Sequence, residues 1–121
     1  MAKLVKNPAV IETSGTPVEE IVGRVNTHTT QVSIARMRSH RGWVDDGQVR
    51  QFAEFLLVLA GALYVRTRRQ HLVARTGQAV MIRRGEWVEY STPERGGARY
   101  LAVCMPAFQP GLVRRTQLHT R

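Results

Sequence analysis

The sequence predicts one all-β domain, a sandwich or barrel of about eight or nine short strands. Short apolar or alternating segments are separated by Gly and Pro turns along most of the chain. No segment sustains a helical period beyond two turns. With 121 residues the chain is long enough for a single domain and too short for two.

The first half contains three predicted strands and a loop. Residues 8–12 form the first strand, 15–17 a turn, and 18–27 the second strand. Residues 30–37 alternate apolar and polar side chains, which is typical of a half-buried strand. Residues 40–48 contain two glycines and the pair Asp45–Asp46, and they are predicted to be a loop with a simple turn.

The second half holds the strongest strand, residues 52–59, which is apolar on both faces except for Glu54. Gly61 predicts a tight bend after it. The next segments are two strands forming a hairpin (62–67 and 71–75), a short buried strand (79–82), a turn (84–85) and two further strands (87–91 and 98–105). Residues 111–121 are predicted to be a basic tail.

Charge and composition narrow the function classes. The net charge is +9, from 16 arginines and two lysines against nine acidic residues. Residues 55–85 contain no acid and six arginines: Arg66, Arg68, Arg69, Arg75, Arg83 and Arg84. Such a stripe could bind an anionic partner or simply be a solvated sheet face. Aromatic residues make up only 7% and no nucleic-acid module is recognisable, so nucleic-acid binding is not expected.

Compartment and partners are also predicted. The longest apolar run, residues 55–60, is far shorter than the roughly 20 residues that span a bilayer, so no membrane association is expected. The N-terminus lacks a signal peptide's apolar core, and the single cysteine, Cys104, excludes an internal disulfide. We expect a cytoplasmic protein, a homodimer formed through a sheet, and a small-molecule ligand inside the barrel.

Two groups of residues have the spacing of a known pair of motifs. The first group is Gly42, Gln48, Arg50, Glu54 and Gly61; the second is Gly77, Arg83, Gly85 and Val88. In glycine and glutamate placement, both resemble the motifs of the cupin superfamily. The resemblance covers about residues 32–107 and implies a single-domain jelly-roll β-barrel over residues 1–121, with its core at about 30–108.

The departures from the family pattern concern the metal. Cupins generally bind a metal through three histidines and the glutamate, but the three histidine positions here are Gln48, Arg50 and Val88. Arginine stays protonated and valine has no lone pair, so neither is a ligand. The sequence therefore predicts no metal and no other cofactor. An atypical metal site built from Glu54, Gln48 and His40 remains an alternative.

Strand alternation places six side chains on a common face: Gln48, Arg50, Phe52, Glu54, Leu56 and Val58. The resemblance to cupins implies that this face points into the barrel. Val88 and Tyr90 point inward by the same argument. A buried carboxylate is costly unless it is paired or protonated. Glu54 and Arg50 either form an internal ion pair that only shapes the pocket, or act as an acid–base group and a grip for an anion.

The remaining site candidates are weaker. His40 could overhang the barrel mouth beside Trp43 and take part in catalysis. Cys104 shares a face with Tyr100 and Ala102, and it is expected to line the pocket as a small hydrophobe. Trp43, Trp87, Tyr90 and Phe108 could line the pocket or belong to the core. His28, His71 and His119 have no partner at ligand spacing.

These residues favour a metal-independent enzyme acting on a small organic molecule that is anionic or oxygen-rich. The chemistry would be isomerisation, cyclisation, dehydration or lyase action. Glu54, Tyr90 and His40 are the predicted catalytic residues. The predicted substrate-binding residues are Gln48, Arg50, Trp43, Phe52, Val88 and Cys104. The alternatives are a non-catalytic ligand-binding or sensory module and a metal-dependent enzyme with unusual ligands.

Overall fold

A computed structural model describes residues 2–13 and 16–109, together with the backbone of residues 113–115. Every regular element in these ranges is a strand, and the described residues contain no helix. The strands are β1 (Ala9–Ile11), β2 (Val18–Val22), β3 (Ser33–Ser39), β4 (Trp43–Arg50), β5 (Ala53–Thr67), β6 (His71–Arg75), β7 (Ala79–Ile82), β8 (Trp87–Thr92), β9 (Ala98–Met105) and β10 (Val113–Arg115). The predicted all-β class is confirmed.

The strands form two antiparallel sheets that share β5. The first sheet has the order β1-β2-β3-β9-β5-β7, and the second has the order β6-β5-β8-β4-β10. The first half of β5 pairs with β9 and β7, whereas its second half pairs with β8 and β6. One long strand therefore curls from one sheet into the other and joins them around a common interior.

The predicted bend at Gly61 is present, but the predicted division into two strands is wrong, because β5 runs without interruption through this residue to Thr67. The register against β9 shifts between Val58 and Ala60, and Gly61 has a φ of +82°. A bulge with a left-handed glycine bends a strand without ending its hydrogen bonding. Gly61 is therefore the bend at which β5 passes from the first sheet into the second.

The predicted loop at residues 40–48 is wrong as well, because β4 covers most of it and pairs with β8 and β10. The register shifts between Asp45 and Gln48, so the pair Asp45–Asp46 belongs to a bulged strand. Gly47 lies under the indole of Trp87, where a Cβ atom would overlap the ring. Glycine is thus required for close packing here.

The N-terminal strands are shorter than predicted. The second ends at Val22, where the carboxylate of Glu20 accepts hydrogen bonds from the backbone N–H groups of Val25 and Asn26 at 2.9 and 2.8 Å. These bonds hold a turn in place of a continued strand. Of the predicted tail, Val113–Arg115 forms β10 against β4, and the rest lies outside the described residues.

The six side chains predicted to share one face are all buried: Gln48, Arg50, Phe52, Glu54, Leu56 and Val58. On the outside, Arg66 pairs with Glu89 at 3.0 Å, and Arg66 and Arg68 lie over the ring of Trp87 at 5.1 and 5.9 Å. These contacts favour a solvated face for part of the arginine stripe. Among the described residues, no helix is long and apolar enough to cross a membrane.

Gly61→Ala should destabilise the fold more than Gly77→Ala. Both glycines have positive φ, which costs alanine about 1–2 kcal/mol. A Cβ atom at Gly61 would also overlap the carbonyl oxygen of Gly97, whereas Gly77 faces open space. Thermal unfolding should show a clearly larger loss for Gly61→Ala, and equal losses would contradict the role of this bend.

Candidate functional site

A cavity of about 480 Å³ opens between the two sheets. Its floor consists of buried residues, among them Glu54, Arg50 and Tyr90, whereas the exposed residues Glu12, Val44 and Asp46 lie at its mouth. The other described residues that line it are Thr13, Thr16, Val18, Ser33, Ala35, Met37, Trp43, Asp45, Gln48, Leu56, Tyr100, Ala102, Cys104 and Phe108. This volume suits a small organic ligand.

Glu54 is the carboxylate at the floor, placed by the first half of β5. The Tyr90 hydroxyl donates a 2.6 Å hydrogen bond to its Oε1, and Arg50 Nε lies 3.6 Å from the same oxygen. Its second oxygen, Oε2, is 3.9 Å from the thiol of Cys104, which is a long and weak contact. One oxygen is therefore firmly held, and the other has a weaker partner.

Arg50 is shared between two carboxylates. Its Nη2 donates to Asp45 Oδ2 at 2.9 Å while its Nε faces Glu54, and the guanidinium lies 5.2 Å from the centre of the Tyr90 ring. Burial acts to lower the pKa of Arg50, but the charges of Glu54, Tyr90 and Asp45 outweigh it and raise the pKa. The guanidinium is thus a fixed positive charge at the floor.

Asp45 is the charged residue at the floor that sequence reasoning missed. Besides Arg50, it accepts a 2.8 Å hydrogen bond from Gln48 Nε2, so one carboxylate orients both polar side chains. The bulge after Asp45 changes the side-chain alternation, which brings Asp45 to the same side as Gln48. Gly47 between them was the signal that a bulge was possible.

Burial affects the titration of three other cavity groups. It raises the pKa of Tyr90 well above its ordinary value, and the nearby charge of Glu54 raises it further. Burial also raises the pKa of the Cys104 thiol and the pKa of Tyr100, the latter to about 12. At neutral pH, Tyr90 is therefore a phenol donor and Cys104 a neutral thiol.

Aromatic and apolar side chains form the walls, chiefly Trp43, Met37 and Phe108. The hydroxyl of Ser33 accepts a 2.8 Å hydrogen bond from the backbone N–H of Phe108. Phe52 supports the Phe108 ring from below, in an edge-to-face contact with centroids 6.1 Å apart. The segment after β9 is thereby fixed at the cavity wall.

Most predicted site residues meet in this cavity, but three do not line it. Phe52 and Val88 are fully buried behind the lining residues, in the core. His40 is exposed and lies at a neighbouring shallow depression, which shares Thr16 and Trp43 with the cavity. The backbone oxygen of His40 accepts hydrogen bonds from the Thr92 hydroxyl and the Trp43 backbone N–H. These bonds stabilise the turn that precedes β4.

The residues at the cupin metal positions do not fit a divalent metal. The Arg50 guanidinium lies 3.6 Å from Glu54, so a positive charge already stands beside the one family ligand that this chain retains. Val88 offers no donor atom. The described residues contain no cluster of three or more His, Cys, Asp or Glu side chains arranged to hold a metal ion.

Arg50→Met should destabilise the protein by about 3–5 kcal/mol, because it leaves two carboxylates without their buried counter-charge. The matched control is Arg36→Met, which breaks an exposed pair with Glu19 and should cost about 1 kcal/mol or less. Denaturant unfolding of both variants measures the difference. A loss for Arg50→Met as small as for the control would contradict the central place of this ion pair.

The protein should lose stability as the pH rises above about 10, the ordinary tyrosine pKa. All three tyrosines have raised pKa values, Tyr90 and Tyr100 through burial and Tyr64 through its hydrogen bond to Glu94. The folded state therefore keeps phenolic protons that the unfolded chain releases, so unfolding becomes more favourable at high pH.

Unfolding at stepped pH, followed with tyrosinate absorbance, checks this expectation. The free energy of unfolding should fall through the alkaline range, and the fall should be smaller in Tyr90→Phe. A tyrosine that titrates at its ordinary pKa in the folded protein would contradict it.

Comparison with known proteins adds one curated relative, the endoribonuclease YbeY of Myxococcus xanthus. The two are 36% identical over 112 residues, which is 91% of this chain. The chain spans only 37% of the length of that relative. The endoribonuclease activity is named for the whole relative, and this chain matches only about a third of that protein.

Solved structures share the fold at low sequence identity. The polyketide cyclase RemF from Streptomyces resistomycificus superposes with a TM-score of 0.72 at 17% identity, covering 99% of this chain and 82% of RemF. The nucleoside dehydratase Pac13, a Streptomyces protein, gives a TM-score of 0.74 at 12% identity, covering 97% and 91%. These likenesses establish the double-stranded β-helix, or cupin, fold.

The family is shown by the sequence itself. The AraC-like ligand binding domain matches residues 34–120, a stretch that contains all of β3 except Ser33, the strands β4 to β10, and most of the cavity lining. The predicted cupin resemblance is therefore confirmed, and the chain belongs to the family of AraC-like ligand-binding domains.

Proposed function

We propose that the cavity binds a small organic molecule and that Glu54 moves a proton on it, in acid–base chemistry that needs no transition metal. Isomerisation, cyclisation, dehydration and lyase action are the reaction types that such a site can carry out. The observation that carries the proposal is the arrangement of the Glu54 carboxylate, buried at the floor with one oxygen held and the other weakly engaged.

Each neighbour of Glu54 has a distinct role in this proposal. Arg50 stabilises the ionised carboxylate, and Tyr90 fixes Oε1 through its short hydrogen bond. A ligand seated against the floor would meet Oε2, which can take a proton from carbon or oxygen and return it elsewhere. Tyr90 remains protonated but has a single O–H, so it can donate to negative charge that develops on a ligand only when it releases Oε1.

Two comparisons support the proposal without deciding it. The matched family is named for ligand binding, which agrees with a cavity of this size. Two proteins with the same fold are named as a dehydratase and a cyclase, so this barrel accommodates chemistry of the proposed type. Fold likeness alone carries no activity, and the proposal therefore depends on Glu54.

The second candidate is a ligand-binding module without turnover. The family description favours it, and so does the engagement of Glu54 by both Arg50 and Tyr90, which could serve only to build the pocket. In this case the cavity would bind its ligand and release it unchanged. We retain the catalytic proposal because a carboxylate kept at the floor of an open cavity is accessible to ligands.

Glu54→Gln should reduce the reaction rate by about a hundredfold or more, the usual contribution of a positioned acid–base group. Purified protein is incubated with a pool of small polar metabolites in heavy water, and mass spectrometry follows changed masses and deuterium uptake. Glu89→Gln, which alters a carboxylate on the outer face, is the matched control and should keep the full rate.

Two outcomes would contradict the catalytic role. Equal rates for Glu54→Gln and the native protein would remove Glu54 from the chemistry. A compound that binds the native protein and is always recovered unaltered, without deuterium, would instead support the non-catalytic module.

A further inference from the structure

The outer side of the first sheet presents apolar side chains to solvent. Leu56 on β5 is buried in the interior, so strand alternation turns its neighbours Phe55 and Leu57 outward. Their outward partners on β9 and β7 are apolar as well. We define the apolar face as the outward side chains that meet across β3, β9, β5 and β7: Ile34, Phe55, Leu57, Met81, Leu101 and Val103.

The register between the strands makes this face continuous. Phe55 lies opposite Met81 on β7 and opposite Val103 on β9. Val103 also lies opposite Ile34 on β3. Because directly opposed side chains in a sheet stand about 5 Å apart, these four residues form an unbroken apolar row across four strands.

The apolar face is open to water in the single chain. Met81 is 78% exposed and Leu57 is 39% exposed. Met105, which ends β9 at the margin of the face, is 51% exposed. Four strands about 4.8 Å apart, each contributing about five residues, give an apolar area on the order of 300 Å². Contiguous apolar patches of a few hundred Å² often mark an interaction surface.

The outer side of the second sheet has a different character. There the Arg66 guanidinium pairs with Glu89 at 3.0 Å, so that side is suited to contact with water. On the first sheet, the ion pair of Arg36 and Glu19, at 2.9 Å, lies on β3 and β2 beside the apolar face. A partner can therefore cover the apolar face and leave these two charges at the margin of the contact.

A second copy of this chain fits the apolar face best. A two-fold axis through the face sets it against itself, so apolar side chains meet apolar side chains and no charge is buried unpaired. The chain carries a net charge of +9, which makes two copies repel wherever their arginines meet. The row from Ile34 to Met81 contains no charged residue, so contact there avoids this repulsion. An acidic partner would instead be drawn to the arginine-bearing surfaces.

The C-terminal part of the chain matches the apolar face less well. β10 pairs with β4 in the second sheet. Residues 116–121 contain one apolar side chain among polar and basic ones. A segment of this composition has too few apolar side chains to pair with a row that crosses four strands.

The rest of the same outer side brings the contact to the size of a stable interface. Its six strands, from β1 to β7, cover on the order of 500 Å² before the relief of the side chains is added. Stable specific interfaces begin at about 600 Å² per partner. Val10 on β1, which is 60% exposed and lies opposite Glu19, adds an apolar side chain beyond the ion pair.

We propose that the protein forms a symmetric homodimer through the outer side of its first sheet, with the apolar face at the centre and the Arg36–Glu19 pairs towards the rim. This gives a defined surface to the homodimer that the sequence predicts. Phe55 follows Glu54 directly on β5, so the contact would also support the strand that carries the proposed acid–base group. The inference goes beyond the proposed function and stands whether or not Glu54 catalyses a reaction.

Sedimentation velocity over about 1–100 µM protein tests the dimer. The native protein should be a dimer at the upper end of this range. Met81→Lys should weaken the dimer at least about a hundredfold, because two-fold symmetry buries the added charge twice. The matched control is Val73→Lys, which adds the same charge at a 41% exposed residue on β6 in the second sheet and should leave the dimer intact.

Methionine oxidation gives a second measurement on the unchanged protein. Met81 and Met105 are exposed in the single chain and would be covered in the dimer. With excess dilute peroxide, peptide mass spectrometry should show both converting to the sulfoxide severalfold faster in protein diluted below the dimer dissociation constant than in concentrated protein. Met37, which lines the cavity on the inner side, is the internal reference and should react at the same rate in both samples.

Three results would overturn the proposal. The first is a native protein that stays monomeric at about 100 µM, which would leave the apolar face to a different partner. The second is a dimer that is as stable in Met81→Lys as in the native protein, or that dissociates in Val73→Lys instead. The third is equal oxidation of Met81 and Met105 above and below the dissociation constant. Because the oxidation measurement uses the native protein, it decides the question even if Met81→Lys does not fold.

Discussion

The site depends on one guanidinium placed between two carboxylates. Arg50 holds Asp45 at 2.9 Å and Glu54 at 3.6 Å, and through Asp45 it also fixes Gln48. Burying any one of these charged groups alone would cost several kcal/mol. Their mutual pairing allows a charged floor to exist inside a barrel whose interior consists mainly of apolar side chains.

The barrel supplies the geometry for this pairing. Glu54 stands on the first half of β5, Arg50 at the end of β4, and Tyr90 in β8, which pairs with both strands. Because β5 bends at Gly61 to enter the second sheet, side chains from both sheets converge on one interior. The strands bring Arg50 close to the carboxylates of Asp45 and Glu54. In turn, these ion pairs link β4 to β5.

The replacement of the usual histidines changes what this cavity can do. In place of a metal ion, the floor has the fixed positive charge of Arg50 next to the retained glutamate. A guanidinium has no lone pair to offer and stays protonated, so the proposed acid–base chemistry rests on Glu54.

The sequence by itself determined the fold class, the inward face of residues 48–58 and the loss of the metal ligands. The alternation of polar and apolar residues indicates which side chains share a strand face, and the glycine spacing matches a known family pattern. Both can be read from the linear sequence. Three strands, residues 71–75, 79–82 and 98–105, have the predicted bounds. Their apolar runs end at turn residues, which makes them easy to delimit.

Only the tertiary structure decided where Asp45, Gly61 and His40 lie. Asp45 enters the site because of a bulge that depends on close packing between Gly47 and Trp87, and that contact joins two different strands. Gly61 bends β5 instead of ending it, because β8 and β9 continue the hydrogen bonding on either side of the bend. His40 lies in the turn before β4 and is exposed. The position of a turn residue depends on the long-range pairing of the strands beside it, which a local sequence pattern does not reveal.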